Sequence, residues 1–352
     1  MGSVSRVATG PTPHAVVRPN IPHEEAHLVT TPATTLGPGP AGRPPDWSSS
    51  RRRIGDRIFS GTAVGSGVLI LVTLAAVAGF LIYEGYPALV ADPEELPGGE
   101  GFISFVAPLL FGTVLAATIA LLVAAPLSVA IALFISHYAP RRISAVLGYL
   151  VDLLAAVPSV VYGLWGIFFL APQLVPALRW LEEKLGFLPF FAGPASVTGR
   201  TMLTAGLVLA VMILPIMTAV NREVFLQTPR LLEEASLALG ATRWEMIRMT
   251  VLPFGRSGVV SGSMIGLGRA LGETLAVALV LSPADVITSN LISSVNSNTI
   301  AANIALDFPE SSGLAVNALI ASGLVLFVLT FVVNYLARAL IARRRQFSGA
   351  NA

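Results

Sequence analysis

Six long apolar runs dominate this chain from residue 61 onward and constrain its fold more than any other feature. A helix needs about 20 predominantly apolar residues to cross the hydrocarbon core of a bilayer. The runs that meet this requirement cover residues 61–83, 105–136, 143–171, 201–221, 257–281 and 314–341. The second run includes Pro108 and Pro126 but no polar turn, which favours one kinked helix over a hairpin of two crossings. The pattern predicts an all-α polytopic membrane protein with six transmembrane helices.

The composition agrees with a membrane protein and argues against other classes. Hydrophobic residues make up 54% of the chain and charged residues 12%, against roughly 25% charged residues in an ordinary soluble domain. Charged residues are too few to cover a water-facing surface, which argues against a soluble enzyme. The chain has no cysteine, and three of its four histidines lie near the N-terminus, so we expect no disulfide, thiolate metal site or histidine cluster.

The positions of the arginines predict the orientation of the helices. Arginines precede the first run, follow the second, separate the fourth from the fifth and end the sixth: Arg51, Arg52, Arg53, Arg57, Arg141, Arg142, Arg222, Arg230, Arg243, Arg248, Arg256, Arg338, Arg343, Arg344 and Arg345. The connections after the first and fifth runs carry acidic residues but no lysine or arginine. The positive-inside rule then predicts that both termini are cytoplasmic. The exception is 172–200, which holds Arg179, Lys184 and Arg200, so we expect an amphipathic segment on the outer interface around 174–186.

Residues 1–50 differ from the rest of the chain. They contain nine prolines among threonine, serine and glycine and show no apolar periodicity, so they cannot bury enough surface to offset the entropy of ordering. We expect a disordered cytoplasmic tail that lacks the apolar segment of a signal peptide. A transmembrane domain over 51–346 and a short tail over 347–352 would follow. A docking role for the first tail is the alternative.

The one long cytoplasmic connection predicted within the membrane domain, 222–256, carries helix signals. Thr228 followed by Pro229 predicts the start of a short helix, because such a residue caps a helix and proline suits its first position. Gly240 predicts the end of that helix.

A second short helix is predicted directly after this glycine. The spacing from Thr242 to Glu245 is that of a capping box, and Pro253 should stop the helix that it opens. We expect the helix pair to expose Trp244 and Met246 to a partner protein. The alternative is that the pair packs beneath the bundle.

Three ionisable side chains fall inside the predicted spans: Asp152 in the third run, and Arg269 and Glu273 in the fifth. A charge at the bilayer centre costs about 2.5–3.5 kcal/mol on the mildest scales, so such residues usually face a cavity, a partner or a substrate. Glu273 lies one turn after Arg269 on the same helical face, so one interpretation is a structural ion pair. Asp152 could equally anchor a helix–helix hydrogen bond.

The other interpretation of the arginine in the fifth run is anion binding. A guanidinium presents paired donors that match phosphate oxygens, and it keeps its charge in a low-dielectric site. The carboxylate of Glu273 could then take Arg269 back after release, or favour a protonated phosphate over sulfate.

Two further patterns concern packing within the membrane. Gly258, Gly262 and Gly266 recur every four residues, which predicts close approach of a neighbouring helix. A proline in the third run frees backbone carbonyls, and Ser159 or Tyr162 could line a polar path beside it. The alternative is a packed kink whose hydroxyls bond locally.

The chain contains no sequence for binding the phosphates of ATP. A P-loop needs G-x-x-x-x-G-K-[ST], and the chain's one lysine, Lys184, is preceded by Glu183. Any ATP hydrolysis on which this chain depends therefore takes place on another subunit.

The 222–256 connection resembles the EAA motif of bacterial ATP-binding-cassette importer permeases. That motif reads E-A-A, three residues, G, nine residues and I-x-L-P. The matching residues are Glu234, Ala235, Ser236, Gly240, Thr250, Leu252 and Pro253. Ser236 replaces the second alanine, and Thr250 replaces the isoleucine. The resemblance implies that residues near 233–248, with Gly240 at the corner and Trp244 beside it, form a coupling helix that docks in a groove of an ATPase subunit.

Two membrane segments resemble the phosphate-specific members of that family. They read AAVPSVVYGLWG over 155–166 and GLGRALGETLAV over 266–277, and the second is more similar to the PstC branch than to the PstA branch. The resemblance covers about residues 54–346 and implies a type I importer permease fold. The candidates for the substrate pathway are Arg269, Glu273, Thr274, Ser159, Tyr162 and Asp152.

The resemblance also implies partners in a bacterial plasma membrane. We expect a homologous PstA-like permease, two PstB-like ATP-binding subunits that carry ATP and magnesium, and an extracytoplasmic PstS-like phosphate-binding protein. That binding protein would dock on the outer connections 84–104 and 282–313. This chain would contact inorganic phosphate and membrane lipid but no nucleic acid, metal or cofactor, and it would catalyse no reaction.

Two alternatives remain open at this point. One is a permease of the same family for sulfate, molybdate or another oxyanion. The other, from a different class, is a secondary anion transporter or channel, although such proteins commonly show internal repeats and none is evident here.

Overall fold

The computed structural model describes residues 54–284 and 286–347, and these are mostly helical. In chain order the α-helices are α1 (Ile54–Val90), α2 (Phe102–Leu133), α3 (Arg141–Ala155), α4 (Ser159–Trp165), α5 (Ala171–Leu185), α6 (Met202–Leu226), α7 (Arg230–Ala238), α8 (Arg243–Met246), α9 (Leu252–Leu271), α10 (Leu275–Val280), α11 (Ile300–Asp307) and α12 (Leu314–Phe347). The tail predicted over 1–50 lies outside the described residues, as does nearly all of 347–352.

Shorter elements connect these helices. Single π turns continue α2 at Phe134–Tyr138, join α4 to α5 at Gly166–Leu170 and join α8 to α9 at Ile247–Val251. Turns of 3-10 helix lie at Pro93–Glu95 and Phe308–Glu310. Two short parallel strands, β1 (Pro283–Ala284) and β2 (Asn296–Ser297), pair with Pro283 opposite Asn296.

Within the described residues, five helices are long and apolar enough to cross a membrane. They cover Ile58–Val90, Phe102–Tyr138, Ser159–Leu185, Met202–Leu226 and Leu314–Ala339. The all-α polytopic fold class is therefore confirmed. The second run forms one continuous helix through both of its prolines, as predicted, rather than a hairpin.

The span predicted over 143–171 is wrong in its position. α3 ends at Ala155, a short break follows, and a new helix begins at Ser159 and continues to Leu185. Pro158 caps this helix with an extended ψ of 140°, because its ring lacks an N–H and disfavours helical geometry in the preceding residue. The segment predicted to lie separately on the outer interface, 174–186, is the last part of this same long helix.

The span predicted over 257–281 is not one helix either. α8, the π turn and α9 form a continuous helical segment from Arg243 to Leu271, and α10 begins after a bend at 272–274. The prediction that Pro253 stops a helix is wrong. Pro253 stands in the first turn of α9, directly after the π turn, where the hydrogen-bond register already changes and a missing N–H disturbs the helix least.

Close contact between α6 and α9 lies at the centre of the packing. Gly258 faces Val224 of α6. A Cβ at Gly258 or Gly266 would collide with α6 side chains, and a Cβ at Gly262 would lie tightly against Asn221, at 3.0 Å. The predicted close approach of a helix along this glycine stripe is confirmed. The main core consists of buried side chains from α2, α4, α6, α9 and α10.

The connection between α10 and α11, residues 281–299, is polar, and its last residues, 296–299, are buried. The side chain of Asn296 is fully buried; its Oδ1 accepts from the N–H of Met202 at 2.9 Å, and its Nδ2 donates to two backbone carbonyls. The N–H of Ile300 donates to Oγ1 of Thr113 on α2 at 3.0 Å. These bonds fix the connection to α2 and α6.

Candidate functional site

The bend between α9 and α10 positions the charged residues of the fifth run. Arg269 lies in the last turn of α9, and Glu273 stands in the bend itself. Glu273 is only 9% exposed, and its Oε1 accepts a hydrogen bond from the N–H of Ala276 at 3.2 Å. The hydroxyl of Thr274 donates to the carbonyl of Gly272 at 3.3 Å. The side chains of the bend thus bond to backbone groups that the helix ends leave unpaired.

Arg269 and Glu273 do not form an ion pair. In the part of the chain that the structure describes, no carboxylate lies within 4.0 Å of the Arg269 guanidinium, and this side chain is half-buried. The prediction that the two residues share one helical face is wrong, because the helix ends before Glu273 and the carboxylate caps α10 instead. A half-buried guanidinium without a carboxylate partner has donors available for an anion.

α4 packs against α10 and brings Tyr162 close to this bend. Gly163 allows the approach, since a Cβ there would collide with the backbone of α10. The hydroxyl of buried Tyr162 donates to the carbonyl of Leu154 at the end of α3, at 2.8 Å, and Arg269 lies within electrostatic range of that hydroxyl. Ser159 is half-buried at the start of α4. Tyr162 and Arg269 therefore lie near each other, and the tyrosine hydroxyl is bonded to a backbone carbonyl.

Asp152 lies outside the helices that are long and apolar enough to cross a membrane, but it faces one of them. It is on α3, before the helix that begins at Ser159, and its carboxylate is 4.0 Å from the guanidinium of Arg222 at the end of α6. Arg222 rests against Gly148, where a side chain would leave no room for it. Sequence reasoning assigned Asp152 to a span and did not single out Arg222 as its partner, because the pairing crosses two helices that are distant in the chain.

Arg200 is a second arginine that sequence reasoning did not single out as functional. Its Nη2 donates to the carbonyl of Leu281 at 2.8 Å and to that of Leu279 at 3.5 Å, so it closes the C-terminal end of α10. A cation is favourable at a helix C-terminus. The exception that Arg200 makes to the positive-inside pattern was the available signal for this structural role.

The turn that ends α7 has the conformation that the sequence predicted. Gly240 adopts a φ of +89°, which a residue with a side chain rarely adopts. The N–H of Gly240 donates to the carbonyl of Leu237 at 3.0 Å, and the N–H of Ala241 donates to the carbonyl of Ser236 at 3.2 Å. This pair of bonds is a Schellman motif, and it orients α7 relative to α8.

The predicted capping box is present at the start of α8. Oγ1 of Thr242 accepts from the N–H of Glu245 at 3.3 Å, and Oε2 of Glu245 accepts from the N–H of Thr242 at 2.8 Å. The Thr242 hydroxyl also donates to Oε2 of Glu245 at 2.8 Å, and the two bonds that the carboxylate accepts from Thr242 hold the pKa of Glu245 below its ordinary value. The cap predicted at Thr228 is wrong: α7 begins at Arg230 because Pro229 itself takes the extended cap conformation, and Thr228 is buried.

The 222–256 connection presents an apolar surface to solvent. Leu231 is 78% exposed, Leu239 is 90% exposed and Trp244 is 55% exposed. Other motif residues that are exposed are Glu234, Ala235, Gly240 and Pro253, whereas Leu252 is half-buried. The prediction of an exposed Met246 is wrong: it is 5% exposed, because α8 turns this side chain to the ends of α2 and α6.

Comparison with known proteins identifies the class. The family model described as "Binding-protein-dependent transport system inner membrane component" matches residues 124–346. A chain in the crystal structure of a bacterial alginate ABC transporter, in complex with an alginate-bound periplasmic protein, has a similar fold. Its TM-score is 0.50 at 18% identity, over 80% of this chain and 96% of that chain. The chain is thus a multi-pass membrane component of a transport system.

Curated relatives narrow the class further. "Phosphate transport system permease protein PstC 2" of Mycobacterium bovis and that of Mycobacterium tuberculosis are each 47% identical over 331 residues, which cover 89% of this chain and 98% of the relative. PstC of Mycobacterium leprae is 44% identical over 300 residues, covering 82% of this chain and 94% of the relative. The chain therefore belongs to the PstC family of phosphate transport system permease proteins.

Proposed function

We propose that this chain is the permease subunit of an ATP-driven phosphate importer and that it forms half of the pathway through the membrane. The observation that carries the proposal is Arg269, a half-buried guanidinium at a helix break that has no carboxylate within 4.0 Å among the described residues. The phosphate transport named for the PstC relatives supports the choice of substrate.

The chemistry of Arg269 suits a transient phosphate site. Its planar donors match two phosphate oxygens, and it keeps its charge where water is scarce. Because the α9–α10 bend is held by Glu273 and Thr274 rather than by Arg269, the guanidinium can engage an anion without loss of the bend. No covalent chemistry is required of the chain.

Glu273 supplies the second element of the proposed site. Its carboxylate is buried and receives one backbone hydrogen bond, which leaves acceptor capacity unused. A carboxylate four residues from Arg269 disfavours a fully ionised anion and tolerates a phosphate that carries a proton. It can also attract the guanidinium once the anion has left.

The energy for transport comes, in this proposal, from ATP and magnesium on a partner subunit. Lys184, the one lysine of the chain, is exposed and paired with Glu183 at 2.9 Å, so it cannot serve a P-loop. The exposed apolar surface of Leu231, Leu239 and Trp244 would seat in the ATPase subunit.

The remaining partners follow from the same proposal. A homologous PstA-like permease would complete the pathway, two PstB-like subunits would bind the coupling loops, and a PstS-like protein would deliver phosphate to the acidic connections. Both termini would then be cytoplasmic, as the arginine distribution indicates.

The test is uptake of labelled phosphate by the assembled importer with Arg269→Lys. The substitution keeps the charge but loses the paired donors, so we expect uptake to fall at least about tenfold, as for loss of a charge-assisted hydrogen bond. Arg179→Lys is the matched control, because Arg179 is exposed and distant in sequence from the bend. Unchanged uptake with Arg269→Lys would reject direct contact with phosphate.

Anion preference tests the role of Glu273. Excess sulfate or molybdate should not compete with labelled phosphate in the wild type. Glu273→Gln should weaken that discrimination, because the amide no longer repels a fully ionised anion. If excess sulfate reduces uptake of labelled phosphate by the wild type as strongly as excess unlabelled phosphate does, the result would instead support an importer for another oxyanion.

A further inference from the structure

α7 exposes its apolar side chains and turns two polar ones toward the rest of the chain, the reverse of an ordinary surface helix. No residue of α7 is buried, and only Glu233 and Ser236, one turn apart, are half-buried. Its leucines face solvent: Leu231, Leu232 and Leu237. Apolar packing therefore does not fix α7 to the rest of the chain, and its two half-buried polar side chains are its points of attachment.

The first attachment joins α7 to the end of α2. Oε1 of Glu233 is 3.5 Å from Nε2 of His137, whose side chain is 8% exposed. His137 lies in the π turn that continues α2, and its Nδ1 is 2.7 Å from Oγ of Ser136. Ser136 donates in turn to the carbonyl of Ala132 at 2.8 Å. The imidazole is thus held on both ring nitrogens, with one side facing α7.

The second attachment joins α7 to the π turn that precedes α9. The hydroxyls of Ser236 and Thr250 are 2.8 Å apart. Because Ser236 donates its proton to the carbonyl of Leu232 at 2.8 Å, the Thr250 hydroxyl is the donor in this pair. Ser236 and Thr250 are also the two positions at which this chain departs from the EAA motif, so the two departures form one contact.

Next to α7, the membrane helices end in a closely packed block of apolar side chains. Buried side chains from the ends of α2 and α6 meet those of α8 and the π turn in one apolar cluster: Ala132, Leu133, Phe225, Met246, Ile247 and Val251. Both attachments of α7 reach helical segments that belong to this block. A cluster packed this closely moves as a unit rather than deforming.

We propose that Glu233 and Ser236 are positioning residues that hold α7, through His137 and Thr250, to the ends of α2 and α9, so that a displacement of α7 moves both membrane helices together. The inference rests on the proposed function, in which an ATPase subunit moves α7. Because α9 ends at the bend that carries Arg269, the attachments connect the ATPase contact to the anion site through one continuous helical segment.

A covalent lock tests whether α7 and α9 move as one body. The chain has no cysteine, so a Ser236→Cys, Thr250→Cys double variant can form only the intended disulfide within the chain. We expect oxidation of the reconstituted importer to form this disulfide, and phosphate uptake to stay within about twofold of the reduced form. Uptake that stops on oxidation and returns on reduction would overturn the proposal, and so would failure of the disulfide to form.

Loss of the attachments should uncouple ATP hydrolysis from uptake. With Glu233→Ala, and separately with the Ser236→Ala, Thr250→Val double variant, we expect ATP hydrolysed per phosphate imported to rise about fivefold, as for loss of one hydrogen bond. Glu233→Gln should restore most of the coupling, because its amide has the same shape as the carboxyl and can bond to Nε2 of His137 as a donor or as an acceptor. Glu183→Ala and Ser261→Ala are the matched controls, since the hydroxyl of Ser261 donates to the carbonyl of Ser257 on its own helix.

The outcomes separate this inference from the proposed function. A wild-type assembly that imports no phosphate rejects the proposed function. If the wild type imports phosphate, and the Glu233→Ala and double variants hydrolyse as much ATP per phosphate imported as the wild type does, only the positioning role is rejected.

Discussion

The two connections on either side of α9 and α10 are built in opposite ways. α7, which precedes α9, exposes leucines and turns two polar residues toward the membrane helices. The 281–299 connection, which follows α10, buries polar side chains such as Asn296 and Ser297 and exposes Ile287 and Val295. One connection presents apolar surface and contacts the membrane helices through two polar side chains, and the other is bonded to its neighbours through buried polar groups.

The difference indicates how each connection is used. A surface of exposed leucines and Trp244 is costly in water unless a partner covers it, so the α7 side is suited to association. The buried amide of Asn296 bonds to the start of α6, and the N–H of Ile300, directly after the connection, bonds to Thr113 of α2. This side therefore acts as part of the scaffold that holds α10 in place. We therefore expect substitutions in the 281–299 connection to lower stability, and those around α7 to affect coupling more than stability.

The largest effect on stability should come from Asn296→Ala. The substitution removes three hydrogen bonds that join the connection to the start of α6 and to Ser282, which should lower the free energy of unfolding by about 3 kcal/mol. Thermal unfolding of the purified chain in detergent measures the change, with Asn334→Ala on the exposed face of α12 as the control. Equal unfolding temperatures for the two variants would remove the distinction between the two connections.

Gly112→Ala should have the next largest effect. Gly112 lies on α2 directly against the backbone carbonyl of Asn298, and a Cβ would collide with it. Overpacking of this kind costs about 2 kcal/mol, so the variant should unfold at a lower temperature than wild type. Gly65→Ala, which lies on α1 with no atom within 4 Å of the new Cβ, is the control and should leave the unfolding temperature unchanged.

Local features of this fold were predictable because neighbouring residues determine them. The capping box from Thr242 to Glu245 and the turn at Gly240 depend on spacings of a few residues, and both are present. The glycine stripe of α9 was predictable for a similar reason, since its period alone places the glycines on one face. The breaks at Pro158 and Gly272 were missed because apolar composition does not report where a helix is interrupted.

Pairings between distant residues were not predictable from the sequence. His137 and Glu233 lie on different helices, as do Asp152 and Arg222, and no pattern along the chain connects their members. Prolines show the same limit, because α2 runs through Pro126 whereas the third run breaks at Pro158. A proline leaves a carbonyl one turn earlier without its N–H donor, and tertiary packing decides whether that carbonyl finds another donor. Proline therefore interrupts one helix and is tolerated in another.

A smaller effect, confined to α7 and α8, should follow from Gly240→Ala. An alanine at a φ of +89° is strained by about 1 kcal/mol, and nothing packs over this position. We expect faster hydrogen exchange of the amides in 231–246 with little change in the unfolding temperature, together with a higher ratio of ATP hydrolysed to phosphate imported. A fall in the unfolding temperature as large as that of Gly112→Ala would show that α7 is part of the scaffold after all.

The smallest effect concerns protonation of Glu245 in the capping box. Its folded pKa is lowered by the bonds from Thr242, so the cap contributes to the folded loop above the ordinary glutamate pKa and is lost as the pH falls through the lowered pKa. Carbon NMR titration of labelled glutamate carboxyls, assigned with Glu245→Gln, should show this carboxyl protonating at a lower pH in the wild type than in Thr242→Ala. That substitution removes the bond from the threonine hydroxyl to the carboxylate, so the pKa of Glu245 should rise toward the ordinary glutamate value. Identical titration of this carboxyl in the two proteins would mean that the capping box is not populated and that α8 lacks a fixed start. The α7 side would then be even less rigid, relative to the bonded 281–299 connection, than the structure indicates.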